Sequence, residues 1–343
     1  LKIGLVYGGC GSAAVAARNL GHEVGFNYEP RGRHYLETFN FNFGKINCQI
    51  MNDVAYPIPV PEGEYYDADI FIGQPDCKIY SALRTRKKED VLITETQLYD
   101  FLVKVVQVPV TFKHAFIVEN LPKGIDALME YIETKAPYDY NLTSGRLKAG
   151  GFCKSLNDFS LTRVNINAKD YLPQSRRRSF IVGTPKYSTT KFEFLPASPD
   201  LNPTTFLITS SRNLIKDLEY EDSHDIFNNH KVPNHSEERI KGFSKLGPGV
   251  SYYGTQNNRR LDPDKPAYTI TSHCTQHVHY KLNRTLTVRE CARFMGFPDT
   301  FIFTGPNTKQ LDQAGKAIVV PVIQDLLGQL VVYLEQNSKK DNT

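Results

Sequence analysis

Cysteine is sparse and unpaired in pattern. Six cysteines, at positions 10, 48, 77, 153, 274 and 291, form no Cys-x-x-Cys pair and no metal-type spacing. That argues against a metal site and for reduced thiols in a cytosol-like compartment. No stretch of roughly 18 uninterrupted apolar residues offers a membrane span, and no signal peptide opens the chain. Internal repeats and low-complexity tracts are absent, and the missing initiator Met fits a trimmed chain. Charge of one sign is also scarce. A net charge of +4 and a pI of about 8.6 permit a nucleic-acid partner without establishing one. What remains, 40% hydrophobic and 23% charged over 343 residues, is a globular composition for one large domain or two ordinary ones.

The amino-terminal half reads as a cofactor site. Lys2 to Val6 is a short apolar strand that runs into Tyr7-Gly8-Gly9-Cys10-Gly11-Ser12, followed by a helical pattern ending at Gly21. Such a turn lets backbone approach a ligand, and the helix amino-terminus attracts an anionic group. A second strand, Glu23 to Tyr28, ends in Glu29, where doubly wound folds hold ribose hydroxyls. A third, Ile46 to Met51, leads to Asn52-Asp53, a carboxylate able to accept from an adenine amino group. Each acid alone is equally a cap or a solvated turn residue. The glycine turn and the two acids in order, each after a predicted strand, point to a nucleoside cofactor. A nicotinamide fingerprint is excluded, because Gly9-Cys10-Gly11 is followed by Ser12, Ala13 and Ala14 rather than by the third glycine.

The middle of this half supplies a nucleophile and an acid. Ile70, Phe71 and Ile72 form a buried-strand run that Gly73 and Pro75 stop, with Cys77 in the loop beyond. Taken alone, Cys77 reads as a buried free cysteine. A run bearing Arg84, Arg86, Lys87 and Lys88 follows, read as a mobile basic loop, although charge runs are usually solvated surface. Gln97 to Val106 alternates at helical spacing. His114 to Val118 is a strand leading into Glu119, which either points into the crevice beside Cys77 or caps a helix from Ile125 to Ile132.

The order of these motifs resembles the DNA cytosine-5 methyltransferases of bacterial or phage type. Tyr7-Gly8-Gly9-Cys10-Gly11 is similar to that family's Phe-x-Gly-x-Gly loop. Asp76-Cys77-Lys78-Ile79-Tyr80-Ser81 is similar to Pro-Cys-Gln-x-Phe-Ser, and Glu119-Asn120-Leu121 to Glu-Asn-Val. Gln174-Ser175-Arg176-Arg177-Arg178 matches Gln-x-Arg-x-Arg. The stretches RRLDPDKPAYTIT, LTVRECARFMGFPD and GKAIVVPV resemble the closing motifs.

The resemblance implies an α/β fold: a Rossmann-like class I methyltransferase domain, its sheet mixed but mostly parallel with helices on both faces, and a smaller target-recognition domain. The expected division is 1–184 catalytic, 185–283 recognition and 284–343 returning to the catalytic domain. The expected catalytic residues are Cys77, Glu119, Arg176 and Arg178. S-adenosylmethionine, released as S-adenosylhomocysteine, would be held by Tyr7, Gly9, Cys10, Gly11, Ser12, Glu29, Pro30, Asp53, Val54, Gln74, Leu98 and Lys316, with no metal. Double-stranded DNA would be met by Lys78, Ser81, Arg84, Arg86, Lys87, Lys88 and Gln174. A cytoplasmic, nucleoid-associated monomer is implied, with a restriction endonuclease as a separately acting partner. Three positions depart from the family pattern: Asp76 replaces Pro, Lys78 replaces Gln, and Lys316 replaces Asn. Asp76 opposes thiolate formation at Cys77 and Lys78 favours it. Two rivals follow from the same motifs, a tRNA cytosine methyltransferase and a DNA-binding homologue impaired in catalysis.

Between Gly183 and about Asn258 the composition shifts toward Ser, Thr, Asn, His and Pro. Lys186 to Phe194 interleaves basic and aromatic residues in a way that suits DNA contact, and the two histidines of NHKVPNHS (229–236) read as polar contacts or caps. Thr287 to Phe294 is an expected helix. A final apolar stripe through Val319, Val322, Ile323, Leu326, Leu327, Leu330 and Leu334 is core packing that folds back on the first domain.

Overall fold

The computed structural model describes residues 1–44, 47–49, 68–80, 92–106, 114–139, 142, 155–186, 190–196, 210–219, 228–251, 258–272 and 276–338. Asp53, Val54, Ser81, Arg84, Arg86, Lys87 and Lys88 lie outside them, as does the side chain of Lys78.

Strands β1 (Lys2–Val6), β2 (Glu23–Tyr28), β3 (Asn47–Gln49), β4 (Ile70–Gly73), β5 (Ala115–Asn120), β6 (Phe159–Asn167) and β8 (Arg177–Pro185) form a seven-stranded sheet ordered β3-β2-β1-β4-β5-β8-β6. The first five are parallel, and the β5–β8 and β8–β6 pairings are antiparallel. Side chains alternate between two cores, as the strand period of two requires. Ile70, Ile72 and Ile117 face one cluster; Phe71, Phe116 and Val118 face the other. Helices α1 (Ser12–Asn19) and α2 (Arg33–Phe43) belong to the first face, and α3 (Gln97–Val106) and α4 (Pro122–Thr134) to the second. From β1 the chain moves outward to β2 and β3, then returns to β4 on the other side of β1. The crevice at the carboxyl ends of β1 and β4 is therefore a topological switch point, where such sheets bind ligands.

β5 runs through Glu119 and Asn120, which pair with Phe180 and Ser179. The alternative of Glu119 as a helix cap is thus corrected: α4 begins at Pro122, an acceptable first helical residue, and Glu119 is a strand residue.

The remainder contains α5 (Ser211–Ile215), α6 (Glu237–Ser244), α7 (Val288–Phe294), α8 (Asn307–Lys316) and α9 (Val320–Ser338). Two-residue strands add short parallel pairs: β7 (Gln174–Ser175) with β10 (Ala267–Tyr268), and β9 (Arg259–Arg260) with β11 (His277–Val278). The helical stretch 307–338 is long and apolar enough to cross a membrane, with a mean hydropathy of 1.8 in its richest window, yet 61% of that window is buried within the protein. Its apolar residues, Ile323, Leu326, Leu327 and Leu330, share a core with α1, and Asn19 donates to Gln324 at 2.8 Å. The final stripe is core packing against the first part of the chain.

The stretch after β8 also folds onto this core. Tyr333 donates to the Thr190 carbonyl at 2.6 Å, Leu195 and Gln329 exchange two hydrogen bonds, and Phe192 meets the Tyr333 ring edge-on. The expected DNA contact through Phe192 is corrected accordingly: the ring is 1% exposed because it anchors the strap to α9.

Of the described cysteines, Cys10 and Cys77 are free thiols, but Cys291 on α7 is disulfide-bonded. The expectation of six reduced thiols is corrected at that position, since sequence spacing does not report approach in space.

Candidate active site at the β1–β4 crevice

Three loops and the end of β5 meet at the carboxyl edge of the sheet. The first follows β1. Tyr7 adopts φ +61°, unusual for a non-glycine residue, and the surrounding bonds over-determine it. Its N–H donates to the Tyr28 carbonyl at 2.7 Å, and its hydroxyl bonds the buried carboxylate of Asp100. Lys104 pairs with the same carboxylate at 2.5 Å, one helical turn along α3. Tyr in place of the family's Phe thus has a partner. Gly9 follows at φ +65°, where a Cβ would come within 3.5 Å of Gln74 and 3.3 Å of Arg31. This turn is a cradle, fitted to a ligand that must touch backbone. No side chain caps α1, so no side-chain acceptor meets the N–H groups at its amino-terminus, beside Gly11 and Ser12. Cys10 points elsewhere: it is buried, its sulfur contacts the Gln313 carbonyl, and burial pushes its thiol up to about 12.

The second loop holds Glu29, fully buried at the end of β2, with the half-buried Pro30 after it. Its carboxylate accepts from the Gly9 N–H and from Arg31. Leu98, expected at the cofactor, is fully buried in the apolar cluster that includes Tyr7 and Phe101.

The third loop carries Cys77 and is pinned at three points. Gln74 donates to the Lys316 carbonyl, the Asp76 N–H donates to Gln97 at 2.8 Å, and Asn120 donates to the Pro75 carbonyl at 3.3 Å. Asn120, beside Glu119, therefore braces the nucleophile loop, and only its place in the Glu-Asn-Leu motif hinted at this. Gly124 lets α4 approach: a Cβ there would lie 2.6 Å from Asn120 and 2.8 Å from Tyr80.

The half-buried Cys77 faces Glu119, Arg178, Asp76 and Arg176. Burial raises its thiol pKa first and Glu119 second; Arg178 opposes, Asp76 raises it further, and Arg176 lowers it. The expected effect of Asp76 is present but ranks behind burial, Glu119 and Arg178, and among the described side chains Arg178 and Arg176 are the cations that lower the thiol. Glu119, 3% exposed, is itself raised by burial and held back by Arg178, whose Nε lies 2.9 Å from Oε1. That oxygen has no aligned hydrogen bond, so a buried acceptor stands open at the site.

The Arg176 guanidinium donates to the carbonyls of Ile270, Gly315 and Ala317 at 2.8, 3.2 and 3.1 Å. It ties the closing motifs beneath the site. The expectation of Gln174 at the DNA is corrected. Gln174 is 0% exposed, with its amide donating to the Phe294 carbonyl at 2.6 Å and accepting from the Ile270 N–H at 2.8 Å. It has no face for DNA. Lys316, the third departure, places Nζ 2.9 Å from Asp312 one helical turn back and 6.0 Å from the Tyr35 ring, so its charge is paired.

Both histidines of the 229–236 stretch make polar contacts. His230 meets Thr287 at 2.9 Å, the residue that caps α7 with Glu290 in a capping box, and His235 meets Thr285. Among the described residues no group of three or more His, Cys, Asp or Glu is arranged to hold a metal.

A family model described as C-5 cytosine-specific DNA methylase matches residues 151–331, just over half of the chain. Among curated proteins, the type II methyltransferase M.MthTI of Methanothermobacter thermautotrophicus is 27% identical, covering 98% of this chain and 98% of its own. M1.HphI of Haemophilus parahaemolyticus is 24% identical over 89% of this chain and 79% of its own. Among solved structures, a DNA modification methyltransferase encoded within an E. coli prophage superposes with TM-score 0.68 at 18% identity, covering 98% of this chain and 99% of that one. S. pombe Dnmt2 methyltransferase follows at TM-score 0.65 and 16% identity, covering 97% and 99%. At these identities the structural likeness is one of fold.

Proposed function

Because this chain belongs to the C-5 cytosine-specific DNA methylase family and is a DNA (cytosine-5-)-methyltransferase, we propose that it uses S-adenosylmethionine and a covalent Cys77 adduct to methylate a flipped-out cytosine in a specific double-stranded sequence. The observation that carries this is the convergence of Cys77, Glu119 and Arg178 at the β4–β5 edge of the crevice.

The Gly9 turn, the α1 amino-terminus, Glu29 and Gln74 would hold the cofactor, joined through the family pattern by Asp53, Val54 and Pro30. Bound there, it supplies an electrophilic sulfonium methyl. Carbon 5 of cytosine is too weak a nucleophile to take that methyl unaided. Addition of the Cys77 thiolate at carbon 6 turns the ring into an enamine that is nucleophilic at carbon 5. Glu119, as the acid, donates its proton to ring nitrogen 3 as electrons flow there, and Arg178 can donate to the ring carbonyl. The proton inventory matters. Thiol with carboxylate and thiolate with carboxylic acid carry the same net charge, so the pair titrates as a unit. Burial of Glu119 favours the neutral acid. The reactive arrangement then differs from the resting one by one internal proton transfer. After carbon 5 is alkylated, its proton leaves to a base and the thiolate is expelled. The target atom is inaccessible within a duplex, so the base must be extruded.

The 185–283 segment is assigned target choice, and the basic run at Arg84, Arg86, Lys87 and Lys88 backbone binding. A cognate endonuclease acting separately would cut the same sequence unmethylated.

The test places 5-fluorocytosine at the target position. Fluorine cannot leave as a proton does, so the adduct persists and survives denaturation as a shifted band that requires S-adenosylmethionine. Cys77→Ala is expected to remove the band while the protein stays folded. A band retained by Cys77→Ala rejects the nucleophile assignment.

A further inference from the structure

We propose that Arg31 is the resident occupant of the cofactor crevice, and that a nucleoside ligand binds by exchanging its ribose hydroxyls for the Arg31 guanidinium on Glu29. The proposal rests on the reading above that Glu29 receives a ribose.

A carboxylate offers about four lone-pair directions. All four of Glu29 are taken. The Gly9 N–H donates to Oε2 at 2.7 Å, the Arg31 N–H to Oε1 at 2.7 Å, Arg31 Nε to Oε1 at 2.7 Å and Arg31 Nη2 to Oε2 at 2.7 Å. The two backbone donors are fixed by the turns after β1 and β2. The other two belong to one side chain that is able to move. Glu29 is 0% exposed, so no direction remains for a pair of vicinal hydroxyls.

The guanidinium also fills the space. Nη2 donates to the Tyr7 carbonyl at 2.8 Å and stands 3.3 Å from the point a Gly9 Cβ would occupy. The room that glycine leaves in this turn therefore contains Arg31. One face of the guanidinium lies over the Tyr35 ring, its carbon 5.2 Å from the centroid, and the side chain keeps 10% exposure, the edge through which it would leave. A ligand that takes two bonds on Glu29 must evict this group, and its apparent affinity is reduced by the fraction of molecules already open.

The test is direct binding of S-adenosylhomocysteine by titration calorimetry, without DNA or turnover, to the wild type and Arg31→Ala. Loss of the occupant should tighten binding by about tenfold or more, since the competent state is no longer scarce. A 2′,3′-dideoxy analogue, which asks nothing of Glu29, should show little difference between the two proteins. A merely structural arginine would move both ligands alike. Unchanged or weaker binding of the hydroxyl-bearing ligand by Arg31→Ala overturns the proposal and makes Arg31 a brace that holds Glu29 for the ribose. Absence of binding by both proteins instead rejects the cofactor reading, and the proposal with it. Should Arg31→Ala not fold, Arg31→Gln, which keeps a polar side chain but is shorter and uncharged, carries the same comparison: tighter binding of the hydroxyl-bearing ligand alone supports the proposal, and unchanged or weaker binding overturns it.

Discussion

Two regions of this molecule bury charge heavily, and they use it in opposite ways. Around α7, Arg260 is 4% exposed, and its guanidinium donates to the carbonyls of Leu246, His279, Leu282 and Phe243 and to Asn283. Arg289, fully buried, donates to the carbonyls of Asn228, Pro298 and Phe301. Glu290 takes both nitrogens of the Arg284 fork. This region is closed: Arg260 and Arg289 spend each guanidinium nitrogen on the protein's own acceptors. The β4–β5 edge is open in that its charge faces a thiol. Glu119 meets Arg178 as an ion pair without an aligned hydrogen bond, and Cys77 lies within the field of two carboxylates and two arginines. Burial of charge alone does not mark an active site. The mark is buried charge set beside a group that can react.

The largest expected effect tests the open region. Glu119→Gln removes the acid, so methyl transfer should fall by about 10²–10⁴-fold. The same change removes an anion that holds the Cys77 thiol up. The thiol pKa should therefore drop, and alkylation by iodoacetamide near neutral pH should quicken even as methylation fails. Because burial is the larger cause, the wild-type alkylation rate should climb on the alkaline side of an ordinary thiol, and the variant's profile should shift part of the way back. Alkylation that slows in the variant would show that Glu119 does not act on the sulfur, and would break the contrast between the regions.

In the closed region the readout should be stability. Arg260→Met keeps volume but strips several buried acceptors of their donor, which should cost about 3 kcal/mol or more in denaturant unfolding. The pH profile of Cys77 alkylation, measured below the unfolding transition, should not move. A shifted profile would mean that the two regions are electrostatically one.

How much of this was legible depended on what kind of signal each part leaves. Strands β1 and β2 and helix α3 were readable to the residue, and β4 to within one (Gly73, read as the stop, is its last residue), because apolar runs and helical spacing end at glycine, proline or a polar turn. The end of β5 was not. Glu119 and Asn120 are polar and read as loop, yet pairing with β8 continues through them. Motif order was enough to place Cys77 and Glu119 near the carboxyl ends of neighbouring strands, β4 and β5. Side-chain direction was not legible. Gln174 sits in an Arg-rich motif that invites a DNA reading, and only its bonds to Phe294 and Ile270 show that it turns inward, as those to Ile270, Gly315 and Ala317 do for Arg176. Arg31 left no pattern at all, because its place depends on the chain folding back over Gly9. The basic run that the sequence singled out lies outside the described residues.

The smallest expected effect concerns Gln174, the residue whose sequence reading the structure reverses most plainly. Its amide joins two segments distant in sequence, accepting from the Ile270 N–H and donating to the Phe294 carbonyl. Gln174→Ala leaves both backbone groups buried and unmet, a loss of about 1–3 kcal/mol. If the residue only joins segments, DNA affinity measured well below the unfolding transition should keep its value, its salt slope and its ranking of sequences. A base contact would behave differently: its loss should relax discrimination at one position by about 1–3 kcal/mol and leave stability nearly untouched. A phosphate contact would lower affinity on every sequence and flatten the salt slope. Gln174→Glu adds a signed check. The carboxylate can still accept from Ile270 but turns an oxygen toward the Phe294 carbonyl, so it should destabilise more than Ala does. A DNA contact weakened by like charge would instead leave unfolding unchanged and depress binding, most strongly at low salt.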